Sequence, residues 1–394
     1  MMKNPQSAIK KRVSLMLTAT VFSYCSLSFA DQQEPPQALQ DYIQAQMLTY
    51  HIPGASIAVI KDYKIEWATG FGFRDVTKKE KVNPQTLFQA ASISKPITAV
   101  AVMETFGKQK DALDANINAL LKTWQVPSNK YTEKQPVTIR LLLSHTAGII
   151  GFRYKGYAQN TVLPTLLQEL NGTPPANTPP VTVVRQPGTR YEYCPAGYTI
   201  LQQLLVDTYH ESFSGIMHQL IFQPLKMTRS TFEEPLPEND LSNMAQPYLP
   251  NGKPMLGGPY IFTASAAGGL WTTPSDLARF LISIQKALAG KKQGAMTAAM
   301  VSEMFVPSIN PNMGLGFEIN MDKNGHEVTQ GNYFGHSGFN SGYLALMVGS
   351  KTGGNGVIIM VNVAPVDMSA VDTPVQYTFL MKVIKKIATE EQWR

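Results

Sequence analysis

Two sets of apolar, strand-like segments stand at opposite ends of this chain. Their separation constrains the fold more than any other feature. Near the start, Ala55 to Ile60 (ASIAVI) and Ile65 to Gly72 (IEWATGFG) flank the polar turn Lys61-Asp62-Tyr63-Lys64 and read as a hairpin. Far downstream, Gly314 to Ile319, Tyr333 to Gly335, Tyr343 to Gly349 and Gly356 to Asn362 read as strands. Helical spacing dominates between them, as in Val137 to Ser144 (VTIRLLLS, capped by Thr138), Tyr198 to Tyr209 (YTILQQLLVDTY) and Pro274 to Ala289. A lone hairpin cannot bury its own apolar face. Both ends must therefore share one sheet, with the helical stretch inserted. The expected fold class is α+β: an antiparallel sheet flanked by helices and built from both termini, with an inserted all-helical domain. The sheet domain is expected over 31–111 and 256–394, and the mainly helical domain over 112–255. Helices are also expected at Ala38 to Tyr50 and Thr373 to Thr389, and a long loop at Gly172 to Pro187.

The first thirty residues read as a secretory signal. Lys3, Lys10, Lys11 and Arg12 precede an uncharged apolar run, Val13 to Ser26, and Ser28-Phe29-Ala30 forms a small-x-small cleavage site. The run is short for a membrane span. Bulky Tyr24 before Cys25 argues against a lipidated cysteine. The expectation is export across an inner membrane to a periplasm, with no stable membrane span. Those four charges account for most of the formal net charge of +6, so the basic balance supports no nucleic-acid partner. Beyond the signal only Cys194 remains, which excludes an intramolecular disulfide and a Cys-based zinc site.

The chemistry-bearing pattern is Ser-x-x-Lys, in which a lysine one helical turn after a serine can take its proton. It occurs at Ser7 to Lys10, Ser92 to Lys95 and Ser283 to Lys286. The first copy lies in the signal, and the third reads as a solvated face late in a helix. Ser92 follows an apolar run, and Pro96 marks the first turn of a helix. There, backbone N–H groups lack helical partners and favour developing negative charge.

Around Ser92 to Lys95, the chain resembles the serine β-lactamase and penicillin-binding-protein superfamily, in its class C-like branch of esterases and D-amino-acid peptidases. The resemblance runs from about Leu39 to the end. It includes Thr138-Ile139-Arg140-Leu141-Leu142-Leu143-Ser144-His145-Thr146-Ala147-Gly148, Pro187-Gly188, Pro224-Leu225-Lys226-Met227, Ala267-Gly268-Gly269-Leu270 and Thr273 to Ala278. It implies Ser92 as nucleophile, Lys95 as its base and Tyr193 as proton-transfer partner. The family's Tyr-x-Asn is altered to Tyr193-Cys194-Pro195, so no asparagine side chain orients the lysine. A literal Lys351-Thr352-Gly353 lies in a hairpin turn. The better match to the family's edge-strand motif is His336-Ser337-Gly338, with the N–H groups of Ser92 and Phe339 as the oxyanion hole. His336, Ser337, Gly338 and Phe339 are thus the expected substrate-binding residues.

The resemblance implies a serine hydrolase acting through an acyl-enzyme on small esters or D-amino-acid peptides and amides, weak at most on β-lactams. No metal or cofactor is implied, and the partner is a small ester, peptide or β-lactam. The alternative is a low-turnover or non-catalytic penicillin-binding-like protein. His145 and Arg140 read as structural, and Cys194 as a small buried residue.

Overall fold

A computed structural model describes residues 34–393 apart from 110, 152–153, 292–295 and 367–373. The signal-like segment and Cys25 lie outside the described residues. The N-terminal part supplies β1 (Gly54–Lys61), β2 (Lys64–Asp75) and β3 (Glu80–Lys81). Two short strands follow, β4 (Phe88–Gln89) and β5 (Trp271–Thr272), which pair with each other outside the main sheet. The C-terminal part supplies β6 (Glu318–Met321), β7 (Tyr333–Asn340), β8 (Tyr343–Ser350) and β9 (Gly356–Val361). Seven strands form one antiparallel sheet in the order β3-β2-β1-β9-β8-β7-β6. The two ends of the chain meet where β1 pairs β9, from Ala55 opposite Val361 to Ile60 opposite Gly356.

The central strands β1, β8 and β9 are almost wholly buried and mostly apolar because both faces of the sheet are covered. Ala55, Ile57 and Val59 face a core that includes Leu39 and Ile43 of the Gln37–Thr49 helix and Phe379, Val383 and Ile387 of the Val375–Glu390 helix. Ala58 and Ile60 face the opposite core, shared with the Ser94–Phe106, Pro195–Tyr209 and Pro274–Leu288 helices. The β1–β2 hairpin turns through Asp62 and Tyr63, both left-handed with φ 50° and 62°. That is the geometry of a tight two-residue hairpin.

Three expectations need correction. The strand expected over Gly314 to Ile319 is a turn as far as Phe317. Gly316, at φ 87°, would put a Cβ 2.4 Å from that of Ala99, and strand geometry begins only at Glu318. The strand expected over Tyr333 to Gly335 continues to Asn340, through His336-Ser337-Gly338. Ser283 is buried rather than solvated, and its hydroxyl donates to the Phe280 carbonyl at 2.6 Å. Lys351-Thr352-Gly353 does follow β8, at its far end from the Asn340–Tyr343 turn.

Candidate active site

Ser92 sits in a single 3-10 turn, Ala91–Ile93, that runs into the Ser94–Phe106 helix. Two features fix this turn. The β4–β5 pairing and the Ala90 N–H bond to the Leu270 carbonyl tie it to the Gly268-Gly269 segment. The Ser94 hydroxyl donates to the Ala91 carbonyl at 2.6 Å and accepts from the Leu270 N–H at 3.0 Å. Ala91 adopts φ 50°, a conformation costing about 1–3 kcal/mol in a residue with a side chain. The strain is held in place by these bonds, and it turns Ser92 out at the head of the helix.

Lys95 lies one turn later and is almost wholly buried. Its Nζ donates to Ser92 Oγ at 3.0 Å and to the Ala267 carbonyl at 2.6 Å. The second bond answers the question raised by Pro195. With no asparagine present, a main-chain carbonyl orients the amine. Pro195 is the first residue of the Pro195–Tyr209 helix, a position where a missing N–H costs nothing.

Tyr193 stands just before that helix, with its ring centroid 5.0 Å from Lys95 Nζ. His145 packs against it, the two rings 4.5 Å apart. The Cys194 N–H donates to His145 Nδ1 at 3.1 Å, which places the imidazole proton on Nε2. That Nε2–H is buried without a hydrogen-bond partner among the described residues. Burial, with Lys95 and His336 nearby, holds His145 well below the usual histidine range, so it is neutral. His145 is structural in its bond to the loop, yet it lies within the site. Its sequence motif alone did not show that contact. Burial pushes the Cys194 thiol up to about 11, and its Sγ lies 3.4 Å from the Ile150 carbonyl, so it is no nucleophile.

The fourth element is β7. Its even-numbered residues face the turn that carries Ser92. Gly338 is needed there because a Cβ would come 2.2 Å from the Ala90 carbonyl oxygen. Its role is close approach of strand to turn. Asn340 clamps the same junction, donating to Gln89 Oε1 at 2.8 Å and to the Gly268 carbonyl at 3.0 Å. The His336 ring lies 6.2 Å from that of Tyr193. Its Nδ1 meets the Ser337 carbonyl oxygen at 2.5 Å, and since a carbonyl only accepts, the proton is on Nδ1. Burial lowers His336 to about 3, reinforced by Lys95, so it is neutral at physiological pH. Ser337 and Phe339 send their side chains to the other face. The Phe339 ring packs on the second core, and Ser337 meets Tyr377. What Phe339 offers the site is its main chain. Asn340 and Tyr343 close the β7–β8 hairpin as a paired position, so Phe339, opposite Leu344, directs its N–H away from β8.

Ser92, Lys95, Tyr193 and His336 are thus brought together. Ala267 and Asn340 join them and had no signal beyond their neighbours' motif. Among the described residues no group of His, Cys, Asp and Glu could hold a metal. No described helix is long and apolar enough to cross a membrane.

Residues 39–377 match the family described as Beta-lactamase. The chain belongs to that family. Its relatives within and around the Beta-lactamase family include Protein flp of Staphylococcus aureus (strain N315), 26% identical over 243 residues, which are 61% of this chain and 45% of that protein. D-aminopeptidase of Brucella anthropi is 27% identical over 199 residues, 48% of this chain and 35% of that protein. The chain therefore spans less than half the length of these relatives. Among solved structures, the octameric penicillin-binding protein homologue from Pyrococcus abyssi superposes with TM-score 0.69 at 22% identity, over 89% of this chain and 77% of that one. D-amino acid amidase from Ochrobactrum anthropi SV3, solved with L-phenylalanine amide, gives 0.67 at 20% identity, over 90% of this chain and 99% of that one. At these identities the likeness shows the shared fold, an antiparallel sheet flanked by helices.

Proposed function

We propose that this Beta-lactamase family member is a serine hydrolase forming an acyl-enzyme at Ser92, with small esters or D-amino-acid amides and peptides as substrates. The observation that carries the reading is the Lys95 Nζ to Ser92 Oγ contact of 3.0 Å, made at the head of a helix. In its neutral form Lys95, with Tyr193 beside it, takes the hydroxyl proton as Ser92 attacks the carbonyl carbon. The N–H groups of Ser92 and Phe339 receive the oxyanion. Tyr193 returns the proton to the leaving group, and water then releases the acyl group. The D-aminopeptidase and D-amino acid amidase relatives support this substrate class. So does His336. It is neutral where the family's usual lysine would attract a substrate carboxylate, which disfavours penicillins.

Pro195 favours a second reading, a penicillin-binding-like protein that acylates and turns over little. The Ala267 carbonyl already orients Lys95, so hydrolysis is preferred. One experiment separates the two. The protein is incubated with a fluorophosphonate and with nitrocefin, and the Ser92 peptide is examined by mass spectrometry. p-Nitrophenyl esters and D-amino-acid amides are assayed in parallel. Turnover with Ser92 labelling supports the hydrolase. A persistent adduct without turnover supports the second reading. No adduct, with Ser92→Ala matching wild type toward the esters, removes both.

A further inference from the structure

The carbonyl that orients Lys95 belongs to a very short helix, Ser265–Gly268. So short a helix holds itself poorly, because its first turn fixes several torsions for one hydrogen bond. Its own bonds run from the Ala267 N–H to the Ala264 carbonyl at 3.0 Å and from the Gly269 N–H to the Ser265 carbonyl at 2.8 Å. No side chain at Ala264 caps it. Gln202, buried in the Pro195–Tyr209 helix, supplies the missing support. Its Oε1 accepts from the Ala266 N–H at 3.0 Å, and its Nε2 donates to the Thr263 carbonyl at 3.1 Å. One amide thus bridges the entry to the turn. Its orientation is forced, since a carbonyl only accepts and an N–H only donates.

The place of Gln202 on its helix ties this turn to the rest of the site. Pro195, Tyr198 and Gln202 recur at the spacing of one helix face. The Tyr198 ring centroid lies 5.8 Å from Lys95 Nζ, so that face looks toward the lysine. Tyr193 stands just before the same helix, its ring centroid 5.0 Å from Nζ. Gln202 therefore links the carbonyl that aims Lys95 to the helix that carries Tyr193 at its head. The chain it grips is anchored on the other side. The Thr263 hydroxyl donates to Glu169 Oε1 at 2.6 Å, and the Thr178 hydroxyl donates to Oε2 at 3.0 Å. Glu169 is itself buried, in the Leu166–Asn171 helix. Gln203, the next residue along, is also buried but serves another place. Its Nε2 donates to the Thr123 hydroxyl at 2.8 Å and to Asp207 Oδ1 at 2.9 Å.

We propose that Gln202 is a positioning residue for Lys95, acting through the main chain by fixing the Ser265–Gly268 turn so that the Ala267 carbonyl meets the amine. The proposal rests on the serine-hydrolase reading and deepens it. The orienting task of the absent asparagine passes to a glutamine about two turns further along the same helix. Without that amide the Ala266 N–H loses its buried acceptor, and the turn is released from the Pro195–Tyr209 helix. The Ala267 carbonyl then moves off Nζ, and Lys95 loses the alignment that sets it against Ser92 Oγ.

The test follows acylation by p-nitrophenyl acetate in single turnover with the enzyme in excess, which separates the acylation rate constant from the half-saturating concentration. Gln202→Met keeps the side-chain length and loses both bonds. Its rate constant is expected to fall about 10- to 100-fold, with half-saturation within about twofold of wild type. Gln202→Glu accepts from the Ala266 N–H in either protonation state and is expected to recover to within about threefold of wild type. Gln203→Met removes a neighbouring buried amide and should lower the urea midpoint while acylating like wild type. If Gln202→Met folds poorly, Gln202→Asn, too short to bridge Thr263 and Ala266, carries the same expected loss. A rate constant within about threefold of wild type in Gln202→Met, or in Gln202→Asn where that replaces it, overturns the positioning role alone. So does an equal loss in Gln203→Met, which would assign the effect to stability, or a Gln202→Glu no faster than Gln202→Met. Wild type that acylates no faster than Ser92→Ala removes the hydrolase reading and the positioning role with it.

Discussion

Ser92 to Lys95 and Ser283 to Lys286 have the same spacing in the same chain, and both lie on or beside a helix packed against the sheet. Their hydroxyls face different competitors. Ser283 lies in the third turn of the Pro274–Leu288 helix, where the preceding turn offers carbonyls, and its hydroxyl takes that of Phe280. Ser92 precedes its helix. No helical turn lies behind it, and its hydroxyl is met by Lys95. The interior serine of the first motif, Ser94, behaves like Ser283 and gives its hydroxyl to a carbonyl three residues back. Spacing thus sets which side chains share a face. Position relative to the helix start decides whether the hydroxyl belongs to the backbone or to chemistry.

The strongest way to break this contrast is to remove each hydroxyl in turn. Ser92→Ala is expected to lower kcat/KM toward p-nitrophenyl esters on the order of 10⁴-fold or more and to abolish fluorophosphonate labelling. Next in size is Tyr193→Phe, which keeps the ring against His145 and removes only the phenol. A general acid–base group of this kind contributes about 10²–10⁴-fold, so kcat should fall by that factor with little change in unfolding by urea. An unchanged kcat would mean that Lys95 moves both protons unaided.

The comparison also shows what a sequence can carry. The sheet made from both ends was legible because β1, β8 and β9 are continuous apolar runs bounded by turn residues. Ser92 could be put forward as a nucleophile because the motif partners that the resemblance implies recur in order along the chain. The Ala267 carbonyl was not, since every residue has one and only the tertiary path aims it. Ser283 was misread as solvated because period alone does not tell which flank of a helix a second element covers.

Gly338→Ala tests whether the turn at Ser92 depends on the strand beside it. The new methyl would strike the Ala90 carbonyl, so strand and turn must separate. Overpacking of this kind costs about 1–3 kcal/mol. A displacement near 1 Å between Ser92 and the Phe339 N–H is enough for roughly a 10²-fold loss of kcat. Urea unfolding and ester turnover should both register it. The effect of His336 is smaller and depends on pH. Its folded pKa is about 3, below the unfolded value, so the unfolded chain binds more protons between those limits. The stability it contributes is complete above about pH 6.5 and is lost as pH falls toward 3. Glu104 and Glu318, both raised to about 7 by burial, act in the opposite direction, so the informative quantity is a difference. The stability of His336→Asn relative to wild type should rise by about 1–2 kcal/mol as pH falls from 6.5 to 5. A gap that does not move with pH would mean that His336 is protonated in the fold.

The smallest effect expected is the most discriminating. Ser283→Ala removes a buried hydroxyl whose donor role is filled by Phe280 and whose other neighbour is the Met296 sulfur, 3.6 Å away. The carbonyl left behind is inside a helix, where it still accepts from its helical N–H. Stability should therefore change by about 0.5–1.5 kcal/mol at most, and ester turnover should stay within about twofold of wild type. Lys286, half-buried at the outer side of the same helix, should be equally dispensable when changed to Ala. A tenfold loss of turnover in either variant would mean that the second motif supports the first across the sheet, and that helix position alone does not separate them. Retention of activity, set beside its loss in Ser92→Ala, would assign the difference to the helix start: two identical motifs, one spent on the backbone and one left for the lysine.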